Sequence, residues 1–142
     1  MALMSYLISP QANLVLQIII FAILFVSFVL KMKHKYFLHG ATMLTAVILN
    51  ALSFLLVMGP RLSDLRQNVI VNYTFSRLSL TTIAHAALGS IAEILAILIV
   101  ATWHLQSGTK NCIKKKKVMR VTFLLWFVAL ALGFVLYSLL NL

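Results

Sequence analysis

The sequence predicts an all-α integral membrane protein, a four-helix antiparallel bundle with both termini outside the membrane. Two observations carry this prediction: four long apolar runs, and a charge distribution confined largely to the joints between them. Of the 142 residues, 63% are hydrophobic and 10% are charged. A soluble domain would have about a quarter of its residues charged. The composition therefore excludes an ordinary soluble domain.

The four apolar runs cover residues 12–30, 38–59, 79–103 and 118–140. Each has about the 20 residues that a helix needs to cross the hydrocarbon core of a bilayer. Hydrocarbon supplies no water to the backbone, so each run must satisfy its own N–H and C=O groups by forming a helix. Four spans and short joints use almost the whole chain. The sequence therefore predicts a single four-span membrane domain over residues 1–142.

The basic residues set the expected orientation. Nine of the twelve lie in or beside the first and third joints: Lys31, Lys33, Lys35, Lys110, Lys114, Lys115, Lys116, Lys117 and Arg120. Because Lys and Arg accumulate in cytoplasmic loops, these two joints are predicted to be cytoplasmic. The protein is accordingly expected to be a multi-pass protein of the cell membrane. The same distribution explains the net charge of +10 without a nucleic-acid partner.

The joints carry three local signals. Pro60 is predicted to end the second span, because proline has no N–H and a fixed φ. Asn72-Tyr73-Thr74 matches an N-glycosylation acceptor on the predicted outer side, although this short pattern is common by chance. Cys112, the only cysteine of the chain, cannot form an internal disulfide and is predicted to be cytoplasmic.

Small and polar residues predict which faces of the spans meet. Membrane helices pack through small residues and interhelical hydrogen bonds, because lipid provides no hydrophobic drive between them. The predicted inward faces are His39, Met43, Ala46, Asn50, Ser53 and Val57 in the second span; His85, Gly89, Ala92, Glu93 and Ala96 in the third; and Thr122, Trp126, Ala129, Gly133 and Tyr137 in the fourth. The first span, with chiefly Gln17 and Ser27 as polar marks, is expected to have more lipid contact.

Glu93 is the only acidic residue inside a span. A charge at mid-membrane costs at least ~2.5–3.5 kcal/mol, so this carboxyl is expected to be protonated or paired. Counting from the span ends places Asn50 at about the same depth. Glu93 is then either a proton-relay or ligand-binding carboxyl, or a protonated acid that is bonded to Asn50 and holds two spans together. His85, which has no histidine at its depth, is predicted to be a hydrogen-bonded residue of the bundle interior.

The histidines raise the question of haem or metal. His39 and His85 differ in depth by roughly 20 Å, so they cannot share one iron. His39 and His104 lie at a similar predicted depth, and imidazole suits iron, zinc and copper alike. This pair could hold a b-type haem or a metal. The alternative is a pair of interfacial histidines, because no tight metal-ligand spacing is present.

The lysine run Lys114, Lys115, Lys116 and Lys117 also has two interpretations. Near a membrane surface each positive charge contributes on the order of 1 kcal/mol to binding anionic lipid. The run is otherwise only a determinant of topology. The sequence contains no phosphate loop, nucleophile elbow or cysteine pair, and so no catalytic residues are predicted.

Several stretches resemble a known family. They are KHKYFLHGATM at residues 33–43, AHAAL at 84–88, KKKVMRVTFLLW at 115–126 and GFVLY at 133–137. Together they resemble the four-helix membrane family of unknown function typified by YozB/CtaM, over about residues 14–140. The resemblance implies a link to haem–copper oxidase maturation. It also implies that His39 and His85 correspond to functional positions of the family. The chain departs from that family at Met58-Gly59-Pro60, where the family has a further histidine.

The leading functional prediction is a small accessory or assembly subunit of a larger membrane redox complex of oxidase type, non-catalytic itself. One alternative is a b-type haem electron-transfer protein that uses His39 and His104. Another is a proton or small-solute pathway centred on Glu93. The expected partners are the lipid bilayer, anionic lipid and other membrane subunits of a hetero-oligomeric complex.

Overall fold

The computed structural model describes residues 9–67, 72, 76–103 and 114–141. The helices are α1 (Pro10–Met32), α2 (Tyr36–Ser53), a π-helical turn (Phe54–Met58), α3 (Gly59–Leu65), α4 (Arg77–Trp103) and α5 (Lys116–Asn141). Four continuous helical segments are long and apolar enough to cross a membrane: Pro10–Met32, Tyr36–Asp64, Arg77–Trp103 and Lys116–Asn141. No strand occurs in the described ranges. The prediction of an all-helical protein with four candidate spans is therefore confirmed.

Local sequence signals explain how α1 begins and ends. The Ser9 side chain accepts a hydrogen bond from the Ala12 N–H at 3.1 Å, and Pro10 occupies the first turn. Both are favourable at a helix start, where backbone N–H groups lack partners. After α1 ends, His34 adopts the left-handed conformation with φ 59°. The resulting short turn places the start of α2 beside the end of α1, with Ser27 in contact with His39.

Pro60 does not end the second span, so this prediction is wrong. The helix continues through Pro60 to Leu65. The turn before the proline is π-helical, and the Gly59 N–H donates to the Phe54 carbonyl five residues earlier. Proline removes one helical hydrogen bond and crowds the preceding turn. A wider π turn accommodates such a local disturbance without stopping the helix.

The core of the bundle forms where small residues surround one large ring. Trp126 of α5 is 6% exposed and packs in a cluster with Ile20, Leu24, Ala46, Val47, Ala92 and Ala96. Alanines on α2 and α4 let the backbones approach closely, which is the usual basis of helix packing in membranes. Most members of the predicted inward faces are buried or half-buried in the structure.

The least buried of the four candidate spans is α5 rather than α1. Within its most apolar window, 11% of the α5 residues are buried, against 22% for each of the other spans. Gln17 and Ser27, the polar marks of α1, are both buried. The first span is expected from the sequence to have more lipid contact than the others; its buried share instead equals that of α2 and α4, because its polar residues bind it to α2.

The side between α1 and α5 is closed differently from the other sides. Hydrogen bonds between side chains or to the backbone join α1 to α2, α2 to α4 and α4 to α5. Helices α1 and α5 approach each other much less extensively. Their ring contacts are Phe21 with Phe123 at 6.4 Å and with Phe127 at 5.8 Å, and Phe28 with Phe123 at 6.4 Å. Clefts remain on both sides of this layer of rings.

Candidate functional site

Two clefts lie at opposite ends of the bundle, and Trp126 lines both. The first, which we call the carboxyl cleft, has a volume of about 350 Å³ and includes Glu93, His85 and Arg61 among its lining residues. The second, the basic cleft, has a volume of about 570 Å³ and includes His39, Lys31 and Arg120. The polar residues predicted from the sequence are thus divided between two separate places.

Glu93 and Asn50 meet at the bottom of the carboxyl cleft. Asn50 Nδ2 donates a hydrogen bond to Glu93 Oε2 at 2.6 Å, which joins α2 to α4. Glu93 is 8% exposed, and its Oε1 has no hydrogen-bond partner within the described part of the chain. A buried oxygen without a protein partner is uncommon, and ordered water commonly satisfies such groups. The cleft therefore contains one unsatisfied carboxyl oxygen.

His85 lies in the same cleft, two turns closer to the start of α4. Its Nδ1 is 2.8 Å from the backbone carbonyl oxygen of Ala129. A carbonyl oxygen can only accept, so Nδ1 carries the hydrogen and Nε2 keeps its lone pair. Gly133 provides room for the ring, because a Cβ there would lie 3.1 Å from His85 Cε1. The α4–α5 contact thereby fixes both the tautomer and the ring position.

A second polar cluster at this end joins α1 to α2. Ser53 Oγ donates to Asn13 Oδ1 at 2.7 Å and accepts from Gln17 Nε2 at 3.0 Å. Asn13 was absent from the residues singled out in the sequence. Its spacing of four from Gln17 was the available signal, because residues four apart lie on one helix face. Asn13 and Gln17 also line the carboxyl cleft.

In the basic cleft, His39 is fixed by a single residue of α1. Its Nδ1 is 2.9 Å from the Ser27 carbonyl oxygen and 2.8 Å from Ser27 Oγ, and Ser27 Oγ donates to the His39 carbonyl at 3.0 Å. The carbonyl acceptor again requires a hydrogen on Nδ1, which leaves the Nε2 lone pair available. Met43 and Met119 line the same cleft.

The rim of the basic cleft is cationic and its depth is apolar. Lys31, Lys116 and Arg120 line it together with His34, while Leu24, Phe28, Ile99, Val100 and Trp103 form apolar wall. Of the predicted lipid-binding lysines, Lys116 lines this cleft, whereas Lys115 contacts Thr102. Lys114 and Lys117 are exposed. The lysine run is therefore divided in its contacts rather than forming one uniform patch.

Some predicted residues cannot be placed. His104 and Cys112 lie outside the described residues, as do Tyr73 and Thr74 of the glycosylation pattern. The predicted His39–His104 pair is therefore not located. Within the ranges that the structure describes, no three His, Cys, Asp or Glu side chains are grouped so that they could hold a metal ion.

Comparisons with known proteins find no relative of this chain. No family model matches the chain, no curated protein matches it, and no solved structure matches it. The resemblance to the YozB/CtaM family consequently stays a prediction from the sequence.

Proposed function

We propose that the protein is an accessory or assembly subunit of a larger membrane redox complex of oxidase type, without catalytic residues of its own. The observation that supports this best is the α1–α5 side of the bundle. There, Phe21 and Phe28 of α1 meet Phe123 and Phe127 of α5 through ring contacts, while the clefts flank this layer. A side closed by rings suits the docking of a helix from another subunit.

The exposed surface beside this layer is apolar. Val15 and Phe25 of α1 and Leu124 and Phe127 of α5 are all at least half exposed. In a membrane, helices associate through van der Waals fit rather than through a hydrophobic drive. A partner helix seated between α1 and α5 would contact these residues. The link to an oxidase-type complex comes from the family resemblance, and the docking surface comes from the bundle.

Crosslinking tests the docking side directly. A photoreactive residue at Phe127, which is 51% exposed beside the α1–α5 layer, is compared with one at Ile48, which is 50% exposed on α2. We expect crosslinks to subunits of a haem-bearing complex from position 127 and not from position 48. Purification in mild detergent with native mass analysis should show the same subunits. A homogeneous monomer with full redox or transport activity would contradict the proposal.

The proposal includes an antiparallel bundle with both termini outside the cell membrane. The distribution of basic residues supports this orientation. An impermeant thiol reagent should leave Cys112 unmodified in intact cells and modify it after lysis. In a Cys112→Ser background, Ser63→Cys is the matched control, because Ser63 is exposed in α3 and should react before lysis. Modification of Cys112 in intact cells would reverse the orientation.

A second candidate function, one-electron transfer by a b-type haem, is favoured by the basic cleft. His39 presents an Nε2 lone pair there, and Met43 and Met119, whose thioethers can bind haem iron, line the same space. Lys31, Lys116 and Arg120 would balance the propionate charges. These residues fit the group, and a haem held there would supply one-electron redox chemistry.

Absorption spectroscopy distinguishes the two candidates. A haem protein should show a Soret band and a reduced α-band after purification, and His39→Ala should remove both. His85→Asn, which changes a histidine of the other cleft, should leave the bands in place. If the purified protein stays colourless after haemin is added but still crosslinks from position 127, the haem role is excluded and the accessory role is supported.

A further inference from the structure

We propose that the carboxyl cleft is a hydrated, one-sided proton-exchange site. Glu93 exchanges its proton, through water and His85, with the side of the membrane at which Pro10 and Asn141 lie, and with that side alone. This inference does not depend on the accessory or the haem role, because it concerns the opposite end of the bundle.

The proposed proton donor is Glu93, at the bottom of the cleft. Asn50 Nδ2 donates to Glu93 Oε2, so Oε2 acts as the acceptor of the carboxyl group. In the neutral acid the proton then resides on Oε1. That oxygen is buried without a partner in the described part of the protein, and Glu93 lines the cleft. Because a bare charge in the membrane interior is costly, the neutral acid accounts for this arrangement, and its Oε1–H, which is buried here, reaches the water of the cleft when the carboxyl group rotates.

The proposed proton acceptor is His85, which lies closer to the start of α4. His85 Nδ1 donates to the Ala129 carbonyl, so Nε2 can take a proton. His85 and Glu93 are eight residues apart on α4, about 12 Å along the axis, which excludes a direct bond. Ser90 lines the cleft between them. The cleft volume of about 350 Å³ far exceeds the ~10–15 Å³ that a single water molecule needs, so the cleft has room for several waters.

The transfer balances with these groups alone. A proton leaves Glu93 Oε1 to a water molecule, and that water chain delivers a proton to His85 Nε2. The resulting imidazolium releases a proton to water at the mouth, and the reverse sequence reprotonates Glu93. No oxidant, reductant or other reactant is needed.

The charges around the cleft disfavour a bound metal ion or organic cation. Among the described residues that line it, the titratable or charged groups are Arg61 of α3, His85 and Glu93 of α4, and Tyr137 of α5. Helix α1 contributes the uncharged Asn13 and Gln17. A fixed positive charge from Arg61 lowers the local concentration of metal ions and organic cations.

The other end of the cleft is sealed. Trp126 separates the two clefts and packs among Ile20, Leu24, Ala46 and Ala96. The aliphatic side chains offer no hydrogen-bonding group, and the indole N–H of Trp126 can donate but not accept, so it cannot relay a proton; well-packed apolar contacts also stay dry. Glu93 does not line the basic cleft. Exchange is therefore confined to one face of the membrane.

Thiol labelling tests hydration and sidedness. In a Cys112→Ser background, Ser90→Cys is exposed to the small impermeant anion sulfonatoethyl methanethiosulfonate, added to either side of sealed vesicles. We expect modification from the side of Pro10 and Asn141 alone. Ile94→Cys is the control, because Ile94 is 58% exposed on the same helix and should face lipid without water. No modification of Ser90→Cys, or equal modification from both sides, would overturn the proposal.

Infrared spectroscopy tests the role of His85. The Glu93 carboxyl band, assigned by its loss in Glu93→Gln, should shift rapidly when the vesicles are moved from H₂O to D₂O. His85→Phe should slow that shift at least about tenfold, because the proton acceptor is removed. His34→Asn, at the basic end, should leave the rate unchanged, and asparagine tolerates the left-handed conformation of His34. An unchanged rate in His85→Phe would remove His85 from the pathway; should that variant fail to fold, the thiol labelling decides.

Discussion

The two halves of this bundle are held together by different chemistry. Around the carboxyl cleft, polar side chains bond across three helix pairs: Ser53 with Asn13 and Gln17, Asn50 with Glu93, and His85 with the Ala129 carbonyl. Around the basic cleft, large rings pack against small residues, as where Trp103 meets Gly40 and Phe37. The polar contacts at that end include those of Ser27 with His39 and of Lys115 with Thr102.

The difference explains why each half leaves a cleft of its own kind. Polar groups that fix helix pairs also leave unsatisfied atoms, such as Glu93 Oε1, and these attract water. Ring packing instead leaves an apolar space with lysines and an arginine at its rim. The two halves therefore differ in the polarity of the space that they enclose as well as in their packing.

The largest expected effect concerns the tight packing of the basic half. A Cβ at Gly40 would overlap the indole ring of Trp103. Gly40→Ala should therefore lower the free energy of unfolding by about 1–3 kcal/mol, the usual cost of overpacking a close contact. The measurement is equilibrium unfolding in mixed detergent and dodecyl sulfate micelles, followed by tryptophan fluorescence.

Gly89→Ala is the matched change in the carboxyl half. A Cβ there would lie 3.9 Å from the Ala129 Cβ, which is an ordinary van der Waals contact. This variant should unfold at nearly the wild-type denaturant concentration. Equal destabilisation by the two substitutions would show that the two halves are packed alike.

The next effect concerns the polar cluster of the carboxyl half. Ser53→Ala removes one bond to Asn13 and one from Gln17, and leaves the buried Gln17 amide without that partner. Two interhelical bonds together should contribute roughly 1.5 kcal/mol to the free energy of unfolding. Ser138→Ala is the control, because Ser138 is exposed and bonds within its own helix. A Ser53→Ala variant as stable as Ser138→Ala would show that this cluster does not stabilise the carboxyl half.

The sequence predicted the contacts that depend on the depth of a residue along its helix. Counting residues from the span ends brought Asn50 and Glu93 to one level, because each helical residue rises ~1.5 Å. It could not find what depends on rotation about the helix axis. The first span is apolar on nearly every face, so its pattern did not show that Gln17 and Ser27 both face α2.

Contacts of side chains with backbone atoms of another helix also could not be predicted from the sequence. The contact of His85 with the Ala129 carbonyl depends on the register between α4 and α5, which no pattern in either helix fixes. The π turn before Pro60 depends on a rearrangement of several backbone bonds, whereas the proline rule considers one residue. His39 and Ser27 are likewise joined by backbone as well as side-chain atoms.

The smallest expected effect separates the structural role of Glu93 from its chemical role. Glu93→Leu removes the bond with Asn50 and should lower the free energy of unfolding by roughly 1 kcal/mol, since interhelical hydrogen bonds in membranes average somewhat less. Glu93→Gln should keep wild-type stability, because an amide still accepts from Asn50 Nδ2 at the same place. If the carboxyl serves only to join α2 to α4, Gln should also preserve assembly with the partner complex and any activity of that complex. If it exchanges protons, Glu93→Gln should fold and assemble normally yet lose every proton-dependent step. Infrared spectra of the wild type provide the remaining check: a protonated-carboxyl band that is absent at neutral pH would show that Glu93 is ionised, and the donor at the bottom of the carboxyl cleft would not exist.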